Sequence, residues 1–402
     1  MNPVVWDVVI VGGGLAGLSL AVELAQPEHA HLRVLVLEKR THYQRDRTWS
    51  YWSAQPHRFT ALERRRWQHW AVSFDGQRQV QSSDSADSAH HGSYCTLDAD
   101  AFYAFAVAQI AAAPHIELRM DCPVRTVVPA LLPVVRLEDG RQETAYWVMD
   151  ARPAAMPAAP ATPASSASDA AATGGSAGLS QHFVGWEIHT ATDCFDAGVV
   201  ELMDFQAASA GLHFFYVLPY SRRSALVEST WISGPTVQPD YAAELRGYLR
   251  QRYGLQAYDC VYREQGRLPL QHTPSASTNP RIVKLGQAAG TLRASTGFAF
   301  LETIADAQRI AECLRHSPPN QASIPAFQRQ RLDGWMDSVL FAAMQAQWTQ
   351  APRFFMALFG GTQASTLLPF LAGHATLAQR LNIALPLPKR AFLRAAWQVL
   401  RS

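Results

Sequence analysis

Cysteine is scarce in this chain, and its spacing predicts neither disulfides nor a metal site. The 402 residues include 5 cysteines, an odd number for a set of disulfides, and none of them forms a C-x-x-C pair. They stand far apart, at Cys95, Cys122, Cys194, Cys260 and Cys313. This pattern is typical of a protein in a reducing compartment, with no disulfide framework and no zinc centre.

Charged residues are also few, and the two signs nearly cancel. They make up 17% of the chain, against about 25% in typical soluble domains, and 35 basic residues face 33 acidic ones. Such a balance argues against a protein that binds nucleic acid through a basic surface. The balance fails only near the C-terminus, because Asp337 is the last acidic residue. Six basic residues follow it: Arg353, Arg380, Lys389, Arg390, Arg394 and Arg401.

Long hydrophobic runs are absent as well. The longest uncharged stretch, residues 354–379, is interrupted by Gly360, Gly361 and Pro369, whereas a membrane-spanning helix needs about 20 predominantly apolar residues. The N-terminus carries Asp7 at its first apolar run and has no basic segment typical of a signal peptide. We expect a cytoplasmic protein that is soluble or attached to a membrane surface.

One segment has almost no residues able to form a core. Of the 28 residues from 151 to 178, 12 are alanine and four are proline, and serine and glycine make up most of the rest. A segment of this composition cannot bury enough side-chain surface to offset the entropy lost on folding. We predict a disordered insertion over residues 151–180.

A nucleotide-binding unit is predicted at the N-terminus. A buried strand over residues 6–11, a glycine-rich turn, an apolar helix and a strand over residues 33–37 form one βαβ unit. The turn has G-x-G-x-x-G spacing, which allows a tight turn, a close approach of pyrophosphate to backbone N–H groups and close helix packing. The acid that ends the second strand suits ribose hydroxyls. The predicted contacts are Gly12, Gly13, Gly14, Ala16, Gly17, Glu38 and Lys39.

A second glycine-bearing segment follows a predicted strand over residues 282–285 and precedes a predicted helix over residues 302–315. A strand, loop and helix in this order direct backbone amides towards a bound anion. Together with the N-terminal unit, the segment predicts a flavin held by both ends of the chain. The predicted contacts here are Gly286, Gly290, Thr296 and Gly297.

Seven further segments occur in a defined order along the chain. They are residues 48–51 (T-W-S-Y), 185–187 (G-W-E), 203–205 (M-D-F), 218–221 (L-P-Y-S), 226–230 (L-V-E-S-T), 264–270 (E-Q-G-R-L-P-L) and 295–298 (S-T-G-F). They resemble, in the same order, the segments H-T-W-S-F, G-W-E, M-D-F, L-P-L-S, L-I-E-D-T or F-L-E-E-T, E-x-G-x-L-P-I and T-T-G-Y of one family. The chain therefore resembles the flavin-dependent lycopene β-cyclases of carotenoid biosynthesis.

The resemblance implies an acid-initiated cyclisation with no net redox change. A family cyclase protonates C2 of a ψ end group, the C5–C6 double bond attacks the cation at C1, and loss of the C6 proton leaves a β-ionone ring. Glu228 matches the family's catalytic acid, and its apolar neighbours are expected to raise its pKa. Asp204 and Glu187 are expected to relay protons or to position the substrate. Reduced FAD is expected to stabilise the cation, and NAD(P)H to serve only as its reductant.

The resemblance also implies a binding site for lycopene or another ψ-ended carotenoid. The expected substrate contacts are Trp49, Trp186, Met203, Pro219 and Trp231, and Tyr216 is a further candidate, because aromatic faces favour polyenes and cations. The chain departs from the family at Ser229, which replaces its second acid, and at Asp46-Arg47, where the family has Asn-His.

The C-terminal region is expected to contact a membrane, since a C40 polyene is stored in the bilayer. Apolar side chains flanked by arginines would suit an anionic surface if they are partly exposed. They are Phe354, Phe355, Leu358, Phe359, Leu367, Leu368, Phe370 and Leu371. The alternative is a helical cap whose apolar side chains face the core. We expect peripheral attachment to the cytoplasmic side of the inner membrane.

The predicted fold is α/β (α+β overall): a Rossmann-type FAD-binding parallel sheet, an antiparallel substrate-binding sheet and a C-terminal helical cap. The predicted boundaries are residues 1–75, 95–150 and 280–318 for the FAD-binding domain, 76–94 and 181–279 for the substrate domain, and 319–402 for the cap.

The sequence leaves three other functions open. The first is an FAD-dependent monooxygenase of the aromatic-hydroxylase type, although those enzymes usually carry Gly-Asp where this chain has Gly286-Gln287. The second is a cyclase that acts on another terpenoid, and the third is a flavin-binding protein without catalysis. Fold alone does not separate these functions.

Overall fold

The computed structural model describes residues 5–53, 55–83, 92–153, 178–270, 277, 279–316 and 318–401. Most of the predicted insertion at 151–180, namely residues 154–177, lies outside them.

The described residues form strands and helices that are numbered here in chain order. The strands are β1 (Val5–Val11), β2 (Val34–Leu37), β3 (Thr48–Trp52), β4 (Arg65–Trp67), β5 (His69–Phe74), β6 (Gln77–Ser82), β7 (Tyr94–Asp98), β8 (Ile116–Arg119), β9 (Val124–Val128), β10 (Val134–Leu137), β11 (Gln142–Asp150), β12 (Ser180–His189), β13 (Val199–Gln206), β14 (Gly211–Ser221), β15 (Ser224–Ser233), β16 (Asp259–Pro269) and β17 (Ile282–Lys284). The helices are α1 (Leu15–Leu24), α2 (Ala99–Ala111), α3 (Tyr241–Tyr253), α4 (Phe300–Arg315), α5 (Arg331–Ala346), α6 (Ala351–Gly361), α7 (Ala364–Leu371), α8 (Leu377–Ala384) and α9 (Lys389–Arg401).

The first sheet has the strand order β8-β2-β1-β11-β10-β9, and β17 also pairs with β11. Strands β8, β2, β1, β11 and β17 run parallel, whereas β10 pairs antiparallel with both β11 and β9. Apolar side chains of α1, α2 and α4 form a buried core with this sheet, among them Leu18, Phe102 and Ile310. The predicted α/β fold with a Rossmann-type parallel sheet is confirmed.

The second sheet has the strand order β16-β12-β15-β14-β13-β5-β6 and is antiparallel except for the β13–β5 pair. One face packs on the C-terminal helices and the other on α3. The predicted domain boundary at residue 75 needs a correction, because β5 pairs with β13 and β6 and so belongs to this sheet. Its partner β13 lies more than a hundred residues further along the chain, too distant for a local pattern to reveal the pairing.

A small sheet of strands β3-β7-β4 lies between the two large cores. Successive side chains of a strand point to opposite faces, and in β3 the ring of Tyr51 joins the core of the first sheet while that of Trp52 joins the core of the second. Strand β7 does the same with Leu97 and Tyr94. The small sheet therefore joins the nucleotide-binding layer to the antiparallel layer.

The C-terminal residues form the predicted helical cap, but the apolar side chains expected at a membrane are mostly in the core. Five of the eight are buried: Phe354, Phe355, Phe359, Leu367 and Phe370. Leu358, Leu368 and Leu371 are partly buried against the same core. The expectation about these residues is corrected, because they pack on the antiparallel sheet. Within the described chain, no helix combines the length and apolar character needed to cross a membrane.

Candidate functional site

The N-terminal glycine turn connects β1 to α1 and leaves the start of the helix open. A Cβ atom at Gly17 would lie 1.9 Å from the Gly12 carbonyl oxygen, so the helix can approach the strand only because Gly17 has no side chain. A Cβ atom at Gly14 would meet nothing within 4 Å. The first N–H groups of a helix have no intrahelical partner, and no side chain of Gly14 caps them. This geometry suits a phosphate group.

Glu38 holds the turn in place. One carboxylate oxygen accepts a hydrogen bond of 2.6 Å from the Gly13 N–H, and the other accepts one of 2.8 Å from the Arg40 N–H. The Arg40 guanidinium also lies against the rings of Tyr43 and Tyr103. The Tyr43 hydroxyl is buried next to Gly13 and has no hydrogen-bond partner among the described residues. An unpaired hydroxyl beside an open helix terminus fits the polar groups of a dinucleotide.

The second glycine segment meets the first. A Cβ atom at Gly286 would lie 2.8 Å from the Cβ atom of Ala16, and Gly286 has φ of 60°, a conformation that favours glycine. Gly290 and Gly297 also have positive φ, at 91° and 71°. In the same loop, the Thr296 hydroxyl accepts a hydrogen bond from a backbone N–H. The two predicted cofactor segments therefore form one continuous surface, whereas Lys39 is exposed beside it.

Four strands of the second sheet contribute one residue each to a row across the sheet. Tyr216 lies opposite Glu228, Glu228 opposite Gly185, and Gly185 opposite Glu264. Residues directly opposite each other share a face. Since Gly185 has no side chain, the carboxyl groups of Glu228 and Glu264 meet over it in hydrogen-bonding contact.

This row faces the small sheet and the second glycine segment. The Tyr216 hydroxyl donates a hydrogen bond of 2.9 Å to the Ser50 hydroxyl and lies 2.8 Å from the hydroxyl of Tyr94. The Tyr94 ring in turn contacts that of Phe298, with 6.0 Å between ring centroids. Phe298 directly follows Gly297, so a chain of contacts connects the candidate acid to the candidate cofactor site.

The surroundings of Glu228 favour its neutral form. Burial is the main cause, and the negative charge and the hydrogen bond of Glu264 add to it, so that the pKa of Glu228 lies well above its ordinary value. Thr230, two residues further along the same face, has a buried hydroxyl without a hydrogen-bond partner in the described part of the chain. The arrangement can keep a proton on Glu228 at neutral pH and donate it to a bound molecule.

Glu187 lies on the same face but is held as an ion. Its carboxylate accepts hydrogen bonds of 2.6 and 2.8 Å from Arg64 and is paired with Arg45 at 2.7 Å. Burial alone would raise its pKa, but the hydrogen bonds and charges of Arg64 and Arg45 outweigh this effect and lower it. Glu187 is therefore a buried carboxylate that binds two arginines. This geometry does not favour the proton relay expected of Glu187.

Four predicted site residues lie on the opposite face of the sheet, which packs on α3. Asp204 accepts a hydrogen bond of 2.9 Å from the Tyr248 hydroxyl of α3. Trp186 belongs to the α3 core, and Trp231 donates a hydrogen bond to Glu244 of α3. Pro219 lies opposite Ala225, which is in the same core. The structure therefore does not bring these residues together with Glu228, because strand alternation directs them away from it.

Two other predicted substrate residues lie nearer to the site. Met203 is half-buried against the core on the Glu228 side. Trp49 is half-buried on the nucleotide side of β3, with its ring centroid 5.9 Å from that of Phe300. Two side chains of β3 face the row of carboxyls: Ser50 accepts a hydrogen bond from Tyr216, and Thr48 is hydrogen-bonded to Glu264.

The Ser229 position, where the resembling family has a second acid, points towards α3. Its hydroxyl donates a hydrogen bond to Glu244 and lies 3.1 Å from Nε2 of His213. The carboxylate of Glu244, which belongs to helix α3, therefore lies next to the strand position at which the resembling family has its second acid. Burial lowers the pKa of His213 to about 4, so the imidazole is neutral near pH 7. This polar group lies behind the sheet from Glu228.

Sequence reasoning missed Glu264, Arg40 and Tyr94 as members of the site. Arg40 stands two residues after Glu38, and its position was a usable signal. In the sequence, Glu264 belongs to one of the resembling segments, but its partnership with Glu228 depends on two strand pairings. Asp46, one of the departures from the family, accepts hydrogen bonds from Arg40 and Tyr103 on the nucleotide side.

Comparison with known proteins gives one family and a shared fold. The family model described as "Lycopene cyclase protein" matches residues 7–397. No curated protein was found to match the sequence.

Three solved structures illustrate the fold. A geranylgeranyl bacteriochlorophyll reductase-like protein from Thermoplasma acidophilum has a TM-score of 0.62 at 14% identity, over 98% of this chain and 99% of its own. A flavoprotein/dehydrogenase from Cytophaga hutchinsonii has a TM-score of 0.62 at 11% identity, over 98% and 99%. The p-nitrophenol 4-monooxygenase PnpA from Pseudomonas putida has a TM-score of 0.55 at 17% identity, over 98% and 99%. At these identities the likeness concerns the fold alone.

Proposed function

Because the chain belongs to the lycopene cyclase family, we propose that it is a flavin-dependent lycopene β-cyclase. It closes the ψ end groups of lycopene to β-ionone rings, giving γ-carotene or β-carotene. The observation that carries the proposal is the buried Glu228, whose pKa is raised by burial and by Glu264 and which lies on the sheet face that contacts the second glycine segment through Tyr216, Tyr94 and Phe298.

The acid-initiated cyclisation requires a proton donor in a site that is shielded from water. Glu228 transfers its proton to C2 of the end group, and the C5–C6 double bond then closes the ring at C1. Loss of the C6 proton completes an isomerisation in which one proton enters and one leaves. Glu228 is buried, with 8% of its surface exposed, and this burial limits the access of water, which would otherwise trap the cation. Arg45 and Arg64 keep Glu187 ionised nearby.

The glycine segments fit FAD as the cofactor. The N–H groups at the start of α1 would bind its pyrophosphate, Glu38, Arg40 and Tyr43 would surround its adenosine end, and the loop from Gly286 to Gly297 would hold the flavin. When bound and reduced, FAD supplies an electron-rich surface that stabilises a cation. The fold likeness to a flavoprotein supports this assignment. We further propose NAD(P)H as the reductant, on the resemblance alone.

A membrane surface is the proposed partner, because the substrate is a bilayer lipid. Exposed apolar side chains lie on α8, directly after it and on α9: Leu377, Leu381, Leu385, Leu393, Trp397 and Leu400 are each more than half exposed. In α9 they alternate with Lys389, Arg390, Arg394 and Arg401, and no acidic residue follows Asp337. An amphipathic helix with a basic flank suits an anionic bilayer surface. We propose peripheral attachment to the inner membrane through this surface.

The test is product analysis in cells that accumulate lycopene. Cells with the wild-type chain are expected to form cyclic carotenes, whereas Glu228→Gln cells keep lycopene although the purified variant still carries flavin. Glu244→Gln is the matched control, since it removes a carboxyl on the other face of the sheet and should keep the activity. A wild-type chain that purifies with flavin but leaves lycopene unchanged would contradict the proposal.

An FAD-dependent monooxygenase is the second candidate, favoured by the fold likeness to p-nitrophenol 4-monooxygenase. The two functions differ in their use of oxygen. A monooxygenase consumes NAD(P)H and O₂ in proportion to product, whereas a cyclase needs the reductant only to reduce its flavin. Oxygen uptake during product formation therefore separates them.

A further inference from the structure

Two buried carboxyl groups meet over a glycine of β12, the strand next to the edge strand β16 of the second sheet. A Cβ atom at Gly185 would lie 2.9 Å from Cγ of Glu228 and 3.2 Å from Cγ of Glu264. Gly185 of β12 therefore leaves room for side chains of its two neighbouring strands, β15 and β16, to approach each other. Both glutamates are buried, with 8% and 6% of their surface exposed.

A hydrogen bond between two carboxyl groups requires a proton on one of them. Two ionised carboxylates could only accept hydrogen bonds, and without water between them they would repel each other. The contact between Glu228 and Glu264 is thus stable with one shared proton, and the two groups titrate as a pair.

The surroundings decide which member carries the charge. Glu264 accepts a hydrogen bond of 3.0 Å from the Tyr262 hydroxyl, and the Arg45 guanidinium lies 3.8 Å from the centre of the Tyr262 ring. In the described part of the chain, Glu228 has no charged group other than Glu264 that shifts its pKa. Burial raises the pKa of Glu264 as well, but hydrogen bonds to Tyr262 and Thr48 and the charge of Arg45 counteract this effect at Glu264 and not at Glu228. Of the two groups, Glu264 is therefore the one that carries the negative charge, and Glu228 carries the proton.

We propose that Glu264 is the positioning partner of Glu228: its carboxylate accepts the hydrogen bond of the Glu228 carboxyl group and thereby holds and orients the transferable proton. The proposal rests on the proposed cyclase function and adds a residue to it. After Glu228 has protonated C2, the pair carries two negative charges beside the substrate cation. The C6 proton then returns to the pair, which ends as it began.

Few other groups facing the pair can titrate near neutral pH. Tyr216 of β14, Tyr94 of β7 and Tyr262 of β16 are neutral there, because burial raises their pKa values far above the range of the experiment. Arg45 stays cationic beside Asp98 and Glu187. A change in the rate of cyclisation on the alkaline side therefore reports the Glu228–Glu264 pair.

The first test is the pH profile of cyclisation by the purified, flavin-loaded enzyme with lycopene in liposomes. Removing the charge of Glu264 takes away one of the causes that keep Glu228 protonated. In Glu264→Gln the alkaline limb is expected to move to lower pH by about one unit or more. A merely structural role would lower the rate at every pH and leave the limb in place. An unmoved limb, or one that moves to higher pH, overturns the proposal.

The second test separates the carboxyls without removing either. Gly185→Ala inserts a Cβ atom between them, so the same shift of the alkaline limb to lower pH is expected. Gly247→Ala on α3 is the control, because a Cβ atom there meets nothing within 4 Å. A Gly185→Ala enzyme with the wild-type pH profile would speak against the shared proton.

An infrared measurement distinguishes failure of the pair from failure of the cyclase function. Wild-type protein without substrate is expected to show, at neutral pH, the carbonyl band of a buried protonated carboxyl that shifts in D₂O. Glu228→Gln should lack the band, and Glu264→Gln should lose it at lower pH than the wild type. Absence of the band in the wild type contradicts the pair even if lycopene is cyclised. A band that is present in the wild type and absent in Glu228→Gln supports the pair even if lycopene is not cyclised.

Discussion

The glycines of the N-terminal turn differ in what a side chain would meet at each position. Gly17 faces the Gly12 carbonyl at a distance that no Cβ atom can adopt, whereas Gly14 faces open space. The lack of a side chain at Gly17 therefore allows α1 to pack on β1. The lack of one at Gly14 leaves space for a ligand at the N-terminus of α1.

Alanine substitutions at these two glycines should have separable effects. Gly17→Ala is expected to lower the free energy of unfolding by about 3 kcal/mol, as overpacking does, and to reduce flavin content through misfolding. Gly14→Ala should leave the unfolding free energy of the flavin-free protein almost unchanged but weaken flavin binding. Chemical denaturation together with flavin absorbance checks both. Retention of full flavin content by Gly14→Ala would contradict the assignment of the pyrophosphate to this position.

The alternation of side chains along a strand separates the predicted site residues that share a face with Glu228 from those that do not. Glu228 and Trp231 are three residues apart on β15, so they must face opposite sides of the sheet, and this could have been read from the sequence. The arginines that hold Glu187 could not, because Arg45 and Arg64 come from distant loops. The same holds for Glu264, whose role depends on the register of β12 with two neighbours.

At the level of elements, the C-terminal helices show where local patterns stop being informative. The apolar residues of α6 and α7 looked suited to a membrane, but the antiparallel sheet covers them. The exposed apolar residues lie in α8 and α9 instead. An amphipathic pattern predicts a helix with one apolar face, and only the tertiary structure decides whether that face meets protein or lipid.

Helix α9 offers a direct test of membrane attachment. In Leu393→Glu/Trp397→Glu, the two acids replace exposed apolar side chains, so binding to vesicles with anionic lipid is expected to weaken at least tenfold, the equivalent of 1.4 kcal/mol. Flavin content should stay at the wild-type level. Sedimentation with vesicles measures the change. The control is Val261→Glu on β16, an exposed apolar residue away from the cap, and equal loss in both variants would contradict the assignment to α9.

For the whole molecule, the βαβ unit and the glycine segments could be predicted because their signals are local. The order of strands in the second sheet could not, since β5 and β6 join it across more than a hundred residues of intervening chain. The small sheet was likewise not predicted. Its strands are short, and its place between two cores depends on both of them.

Stability of the whole fold should depend on pH through Glu228. Its pKa is raised in the folded protein by burial and by Glu264, so its contribution to stability is complete below the pKa of the unfolded chain and is lost as the pH rises towards the folded value. The wild type should therefore lose up to about 1.4 kcal/mol per pH unit relative to Glu228→Gln over that interval. Denaturation midpoints from pH 5 to pH 8 test this. A pH-independent difference between the two proteins would contradict a raised pKa.

The strand β3 has a practical consequence for protein engineering. Trp49 and Tyr51 contact the nucleotide-binding layer, whereas Ser50 and Trp52 contact the antiparallel layer. The five residues of this strand thus form two alternating sets, and each set faces one layer. Variant libraries restricted to even positions would explore the shape of the acid-bearing side, and libraries restricted to odd positions would tune the nucleotide side. A designer could vary either one while leaving the other in its original form.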